Sequence, residues 1–190
     1  MTKVYLRQNA IHLKNTICIA TILAATVCPI FVSFAQGVDS LFLQSAIQKL
    51  EHAKAYTLTV AELMPAERFT FQPTTEGMSF ARQLVHLSEN LGWLSSAYLK
   101  HEASPILRDE KIVTEKDAVL AIVNRAYEYA IAALQSFPSA HLTDTVSFFA
   151  GPLTKLQIIN LLNDHQTHHR AQLVVYLRLV GIKPSDYVGW

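Results

Sequence analysis

The stretch TKLQIINLLNDHQTHHRAQLVVYLRLVG, Thr154 to Gly181, decides how the chain is read. Ile158, Leu162, His165, His169, Leu173, Tyr176 and Val180 recur at spacings of three and four, the period of a helix laid along neighbouring helices. Thr154 stands at the expected start. Gly181, with Pro184 beyond it, stands at the expected end. Two histidines therefore occupy positions where the pattern calls for apolar side chains. An i, i+4 spacing sets both imidazoles on one face, a turn apart, close enough for two nitrogens to share an ion.

Working outward, three further segments carry the same periodicity. The first runs from Asp39 to Met64, with Leu43, Ile47, Leu50, Thr57, Ala61 and Met64 in one stripe. The second follows Ser79 as N-cap and presents Phe80, Leu84, Leu87, Leu91, Leu94 and Tyr98. The third follows Thr114, with Asp117 in a weak capping box, and presents Val119, Ile122, Ala126, Ala130, Ala133 and Phe137. Only Thr145–Phe149 is ambiguous between helix and strand. The expectation is an all-α four-helix bundle of the up-and-down type. Its connectors from Pro65 to Met78 and from His101 to Val113 are longer than a tight helical hairpin needs.

Composition narrows the function. The chain has 190 residues, 51% of them hydrophobic and 16% charged, enough for one well-packed domain. Its formal net charge is +1 and the basic residues are scattered, so nucleic acid is not expected as a partner.

The N-terminus reads as an export signal over residues 1–35. Lys3, Arg7 and Lys14 precede an uncharged apolar run from Ile17 to Phe34, and Ser33-Phe34-Ala35 offers small residues for cleavage. Residues 36–190 are then the mature domain, periplasmic or secreted. The other reading of the same run is an uncleaved membrane anchor, the one route by which this chain would meet a membrane. Both cysteines, Cys18 and Cys28, fall inside the signal, so a cysteine nucleophile, a disulfide framework and a Cys-type zinc site are all excluded from the mature domain.

A third imidazole adds to the pair. His86 lies one step off the main stripe of the second helix, on a flank shared with Asn90 and Trp93, where it faces a neighbouring helix. Three imidazoles leave coordination positions open for water or substrate, as in reactive rather than structural sites. His168 is an alternative to His169 as second ligand on the helix. His52, His101 and His141 have no spaced partner and read as surface residues. The zinc-protease motif requires glutamate directly after its first histidine, and here that position is Gln166. Carboxylate-bridged di-iron bundles require an acid three residues before histidine, which occurs nowhere in the chain.

Phe71-Gln72-Pro73 leading to Met78-Ser79-Phe80, then His86-Leu87 with Trp93, then Asp164 to Leu173 and Tyr176-Leu177-Arg178 to Gly181, resemble the DinB-like family of metalloenzymes. The resemblance covers essentially the whole mature chain. It implies a four-helix bundle, a metal held by His86, His165 and His169, and a homodimer. It also implies an activity among hydrolases or thiol-dependent S-transferases. Ala171 stands where the family often has glycine. The export signal separates this chain from the small cytoplasmic thiols that transferase members use. Three functional expectations follow. The first is a metal-dependent hydrolase using a metal-bound water. The second is a metal-dependent thiol S-transferase. The third is a non-catalytic metal-binding or stress-associated bundle. The metal is one divalent transition ion, Zn, Ni or Fe among those an all-imidazole site accepts. No catalytic acid or base is named by the sequence, Asp164 and Glu89 being merely near in the chain. The tail from Lys183 to Trp190 is expected to pack its aromatics on the bundle exterior, with a subunit contact as the alternative.

Overall fold

The structure, a computed structural model, describes residues 37–106 and 113–189. The expected signal over residues 1–35, with both cysteines, lies outside the described residues, as does Trp190. The chain divides into units of residues 1–41 and 42–190. Residues 37–41 of the first are helical. The second unit contains α1 over residues 42–63, α2 over Phe80–Leu94, α3 over Lys116–Gln135 and α4 over Lys155–Leu179. The ambiguous stretch resolves into a two-residue strand, β1 (Thr145–Val146), antiparallel to β2 (Leu153–Thr154) with Thr145 opposite Thr154. No described helix is long and apolar enough to cross a membrane.

The expected stripes form the core. Leu50, Ala61 and Met64 of the α1 segment, Phe80, Leu84, Leu87 and Leu94 of α2, Val119, Ala126 and Ala130 of α3, and Ile158, Leu162 and Leu173 of α4 are fully buried. Cross-helix contacts give the directions. Lys54 and Thr57 of α1 meet Glu128 and Tyr127 of α3, while Lys116 at the start of α3 reaches back to the carbonyls of Glu62 and Met64, so α1 and α3 are antiparallel. Gln83 near the start of α2 meets Gln172 and Tyr176 near the end of α4, so these two are antiparallel as well. Tyr127 bonds Gln166, and Lys155 lies over the ring of Phe137, which makes α3 and α4 antiparallel too.

The resulting order is up, down, down, up. It corrects the expected up-and-down alternation, because α2 and α3 run in the same direction. The physical reason is the connector of residues 101–115, which at about 3.3 Å per extended residue exceeds the length of α3, about 1.5 Å per residue. Ile106, 3% exposed, lies against α2 beside Gly92.

Local signals set most of the boundaries. The Ser79 hydroxyl accepts from the Arg82 amide, and Thr154 forms a full capping box with Gln157. Gly181 adopts φ +80°, with Gly181 N–H donating to Arg178 O and Ile182 N–H to Leu177 O, a Schellman ending. At α3 the expected Thr114 cap is corrected. The N-cap is Glu115 and no side chain caps the helix. A tertiary tie holds this end instead, since the Lys116 ammonium donates to the last carbonyls of α1. After Leu94 the chain continues as a π-helical turn, Ser95–Lys100, ending at His101 in the left-handed region, φ 55°. The wider turn shifts the phase, so Leu99 rather than Tyr98 occupies the next core position and Tyr98 packs edge-on to Trp93 at 5.7 Å. In the tail, Tyr187 remains 81% exposed while its ring meets Tyr56 edge-on at 6.3 Å.

Gly92 makes the connector's approach testable. A Cβ there would lie 2.7 Å from Ser104 Oγ and 2.9 Å from Ile106 Cβ. A glycine-to-alanine change inside a helix ordinarily stabilises by about 1 kcal/mol. Here overpacking costs about 1–3 kcal/mol, so Gly92→Ala is expected to lower stability in urea denaturation. A gain would show that the 104–106 segment yields freely.

Candidate metal centre

α2 and α4 bring His86, His165 and His169 together, with one potential ligand atom from each lying within 4.8 Å of the other two. Ring centroids are 5.1 Å apart for His86 and His165, 4.7 Å for His86 and His169, and 4.5 Å for His165 and His169. Antiparallel packing of α2 on α4 produces this meeting, because a flank position of one helix then faces the core stripe of the other. The three histidines are positioned to hold one metal ion. The His86 side chain is 29% exposed, which leaves the cluster reachable from solvent on that side.

Partners of the rings indicate which nitrogens face the cluster. His169 Nδ1 lies 2.5 Å from Gln83 Oε1. The Gln83 amide nitrogen donates to Gln172 Oε1 at 2.6 Å and to the Tyr176 hydroxyl at 3.3 Å, and that hydroxyl donates to Met78 O at 2.9 Å. With the Tyr176 proton committed to Met78, Gln83 must present its nitrogen to Tyr176 and its oxygen to His169. His169 therefore donates from Nδ1 and keeps the Nε2 lone pair for a ligand. Among the described residues, His165 Nδ1 is buried without a hydrogen-bond partner. Burial first, and then the neighbouring His86 and His168 rings, lower the His165 pKa to about 4. Burial, then His165, His86 and His168, lower that of His169 to about 3. Both rings are neutral near pH 7, the state a metal ligand requires. The donor set, its buried unpartnered nitrogen and its protonation thus fit a divalent transition metal.

The remaining expected residues fall elsewhere. His168 is exposed, bonds Gln172 Nε2 at 2.8 Å, and is not a member of the cluster. Together with Gln172 and Tyr176 it lines a cavity of about 530 Å³ against the Pro73–Gly77 loop. Asp164 is exposed on another face of α4. Glu89 is buried, paired with Arg82 at 2.9 Å, and its carboxylate lies 3.8 Å from His86 Nδ1. Gln166, at the zinc-protease glutamate position, turns to Tyr127 and Arg170 instead. Trp93 stacks with Phe148 at 5.8 Å. His52, His101 and His141 are exposed, as expected. Sequence reasoning missed Gln83 and Gln172. A polar residue between Phe80 and Leu84 on a core-facing turn was the available signal for Gln83.

A family model described as DinB family matches residues 39–189. The chain is 25% identical over 129 residues to the Bacillus subtilis protein YjoA, covering 66% of this chain and 82% of that one. A crystal structure of that DinB-like protein superposes with a TM-score of 0.63 at 18% identity, covering 75% of this chain and 96% of its own. A DinB-like protein from Bacillus cereus gives 0.67 at 17% identity, covering 76% and 97%. These structural likenesses carry the fold.

Two outcomes are expected from the centre. Gln83→Leu, which removes the partner of His169 Nδ1, should weaken zinc affinity by about 10–100-fold in competition with a chromophoric chelator. Unchanged affinity would show that the tautomer needs no such support. The second concerns pH. Unfolded histidine titrates near 6.5, above the folded values of about 4 and 3, so the unfolded state takes up more protons as pH falls. The metal-free protein should lose stability from pH 6.5 downward, and His169→Asn should show a shallower loss. Parallel denaturation midpoints for the two proteins across pH 7 to 4 would contradict this.

Proposed function

The chain belongs to the DinB family, and on that premise we propose that it is a metal-dependent hydrolase with His86, His165 and His169 as ligands of one divalent ion. The observation that carries the reading is the convergence of three imidazoles, each offering one ring nitrogen within 4.8 Å of the other two. When bound, such an ion supplies Lewis acidity toward water or a substrate carbonyl. The chain's own residues set the conditions. Low pKa values keep the lone pairs of His165 and His169 available, Gln83 holds the His169 tautomer, and the exposed edge of His86 leaves a way in. Glu89, paired with Arg82, puts its carboxylate 3.8 Å from His86 Nδ1 and so places a negative charge beside that ring. The reading includes export, supported by the Lys3–Ala35 pattern, and pairing into a homodimer, supported by the family resemblance.

Elemental analysis of untagged protein tests the first step. About one equivalent of transition metal is expected, falling to a small fraction in His169→Ala and in His86→Ala. Equal metal content in variant and parent would remove that histidine from the ligand set. Hydrolysis is then assayed with an activated ester panel in parent and His86→Ala. Full metal loading with no metal-dependent turnover would favour a non-catalytic bundle.

A further inference from the structure

The face of α4 turned away from the histidine cluster carries a second unusual group. Arg170 is 7% exposed. Its guanidinium donates to Gln166 Oε1, to Thr57 Oγ1 at 3.4 Å and to Thr167 Oγ1 at 3.3 Å, and it lies 5.2 Å from the centre of the Tyr56 ring. All of these are neutral. Tyr127, which shares Gln166 with it, is a phenol whose burial pushes its pKa up to about 12, so it supplies no negative charge. Among the described residues no carboxylate pairs with Arg170. A guanidinium does not escape this by losing its proton, and a buried charge without an opposite charge is costly.

A cavity of about 230 Å³ opens beside this cation, between α1 and α4. Lys49 and His52 line it from α1, Arg170 and Asp164 from α4, and residues 187–189 of the tail run along it. Among the described residues Asp164 is the one carboxylate on its wall, and it is exposed. From the buried unpaired guanidinium and the polar cavity at its edge, we infer a binding site for a small oxyanion, a carboxylate or phosphate group. Arg170 is its anchor and Lys49 lies at its wall. The planar fork of arginine suits two oxygens of one such group. Arg170 follows His169 directly, but one residue turns a helix by about 100°, so this site is distinct from the metal centre and stands whether or not the metal reading does. An anion there would neutralise Arg170 while tying α1, α4 and the tail together.

Calorimetric titration of the full protein with inorganic phosphate and, separately, with acetate, at ionic strength held constant with sodium chloride, tests the inference. One saturable site is expected for at least one of them. Phosphate preference would identify a phosphorylated ligand and acetate preference a carboxylate. Arg170→Gln should weaken binding at least about tenfold, Lys49→Gln by about threefold, and His169→Ala should leave it unchanged. Should Arg170→Gln fail to fold, Lys49→Gln and Arg170→Lys carry the test. The inference is overturned by heats no greater than the chloride blank, or by binding that survives both charge removals. It is equally overturned by binding that disappears in His169→Ala, which would place the anion at the histidine cluster.

Discussion

An imidazole inside a helical bundle has two ring nitrogens to satisfy, and that requirement organises the interior here. His165 and His169 sit on the core stripe of α4, where leucine or isoleucine would pack with no polar atom to account for. Gln83 answers for one nitrogen of His169, and Gln172 and Tyr176 in turn hold Gln83. Among the described residues none answers for His165 Nδ1, which is buried. An unsatisfied buried polar atom is destabilising, and its retention beside two other imidazoles is what a ligand site requires.

α4 serves three neighbourhoods at once. His165 and His169 look to α2. Gln166 and Arg170 look to Thr57 of α1 and Tyr127 of α3 through a set of hydrogen bonds in which the guanidinium is the charged donor and its partners are uncharged. His168 and Gln172 look to the loop around Pro73 and Gly77. A helix buried on so many sides cannot show a clean amphipathic pattern, which is why polar residues appear at several of its buried positions. The capping box at Thr154 and the Schellman ending at Gly181 then matter more, since they define the ends of a helix whose faces are mixed.

The parallel course of α2 and α3 has a structural consequence. With both antiparallel to α4, the early turns of α2 lie beside the late turns of α4, and His86 comes level with His165 and His169. Ser104 and Ile106, which follow α2 in the chain, lie back against it where Gly92 permits close approach.

Much was legible in the residues alone: the helical stripes, the Ser79 and Thr154 starts, the Gly181 stop and the i, i+4 histidine pair. Each is a local property, in which spacing along one chain segment fixes which side chains share a face. The sequence also set the chemistry of the candidate centre, three imidazoles and no thiol, because residue type alone dictates donor type. Tertiary structure decided the rest: the helix directions, the end of α3 held by Lys116, the π-turn that exchanges Tyr98 for Leu99, the place of His169 rather than His168 in the histidine cluster, and a buried Arg170 with no carboxylate partner among the described residues. Each of these depends on what another segment brings to the same place. A sequence does not carry that distance explicitly, and only the packed bundle supplies it.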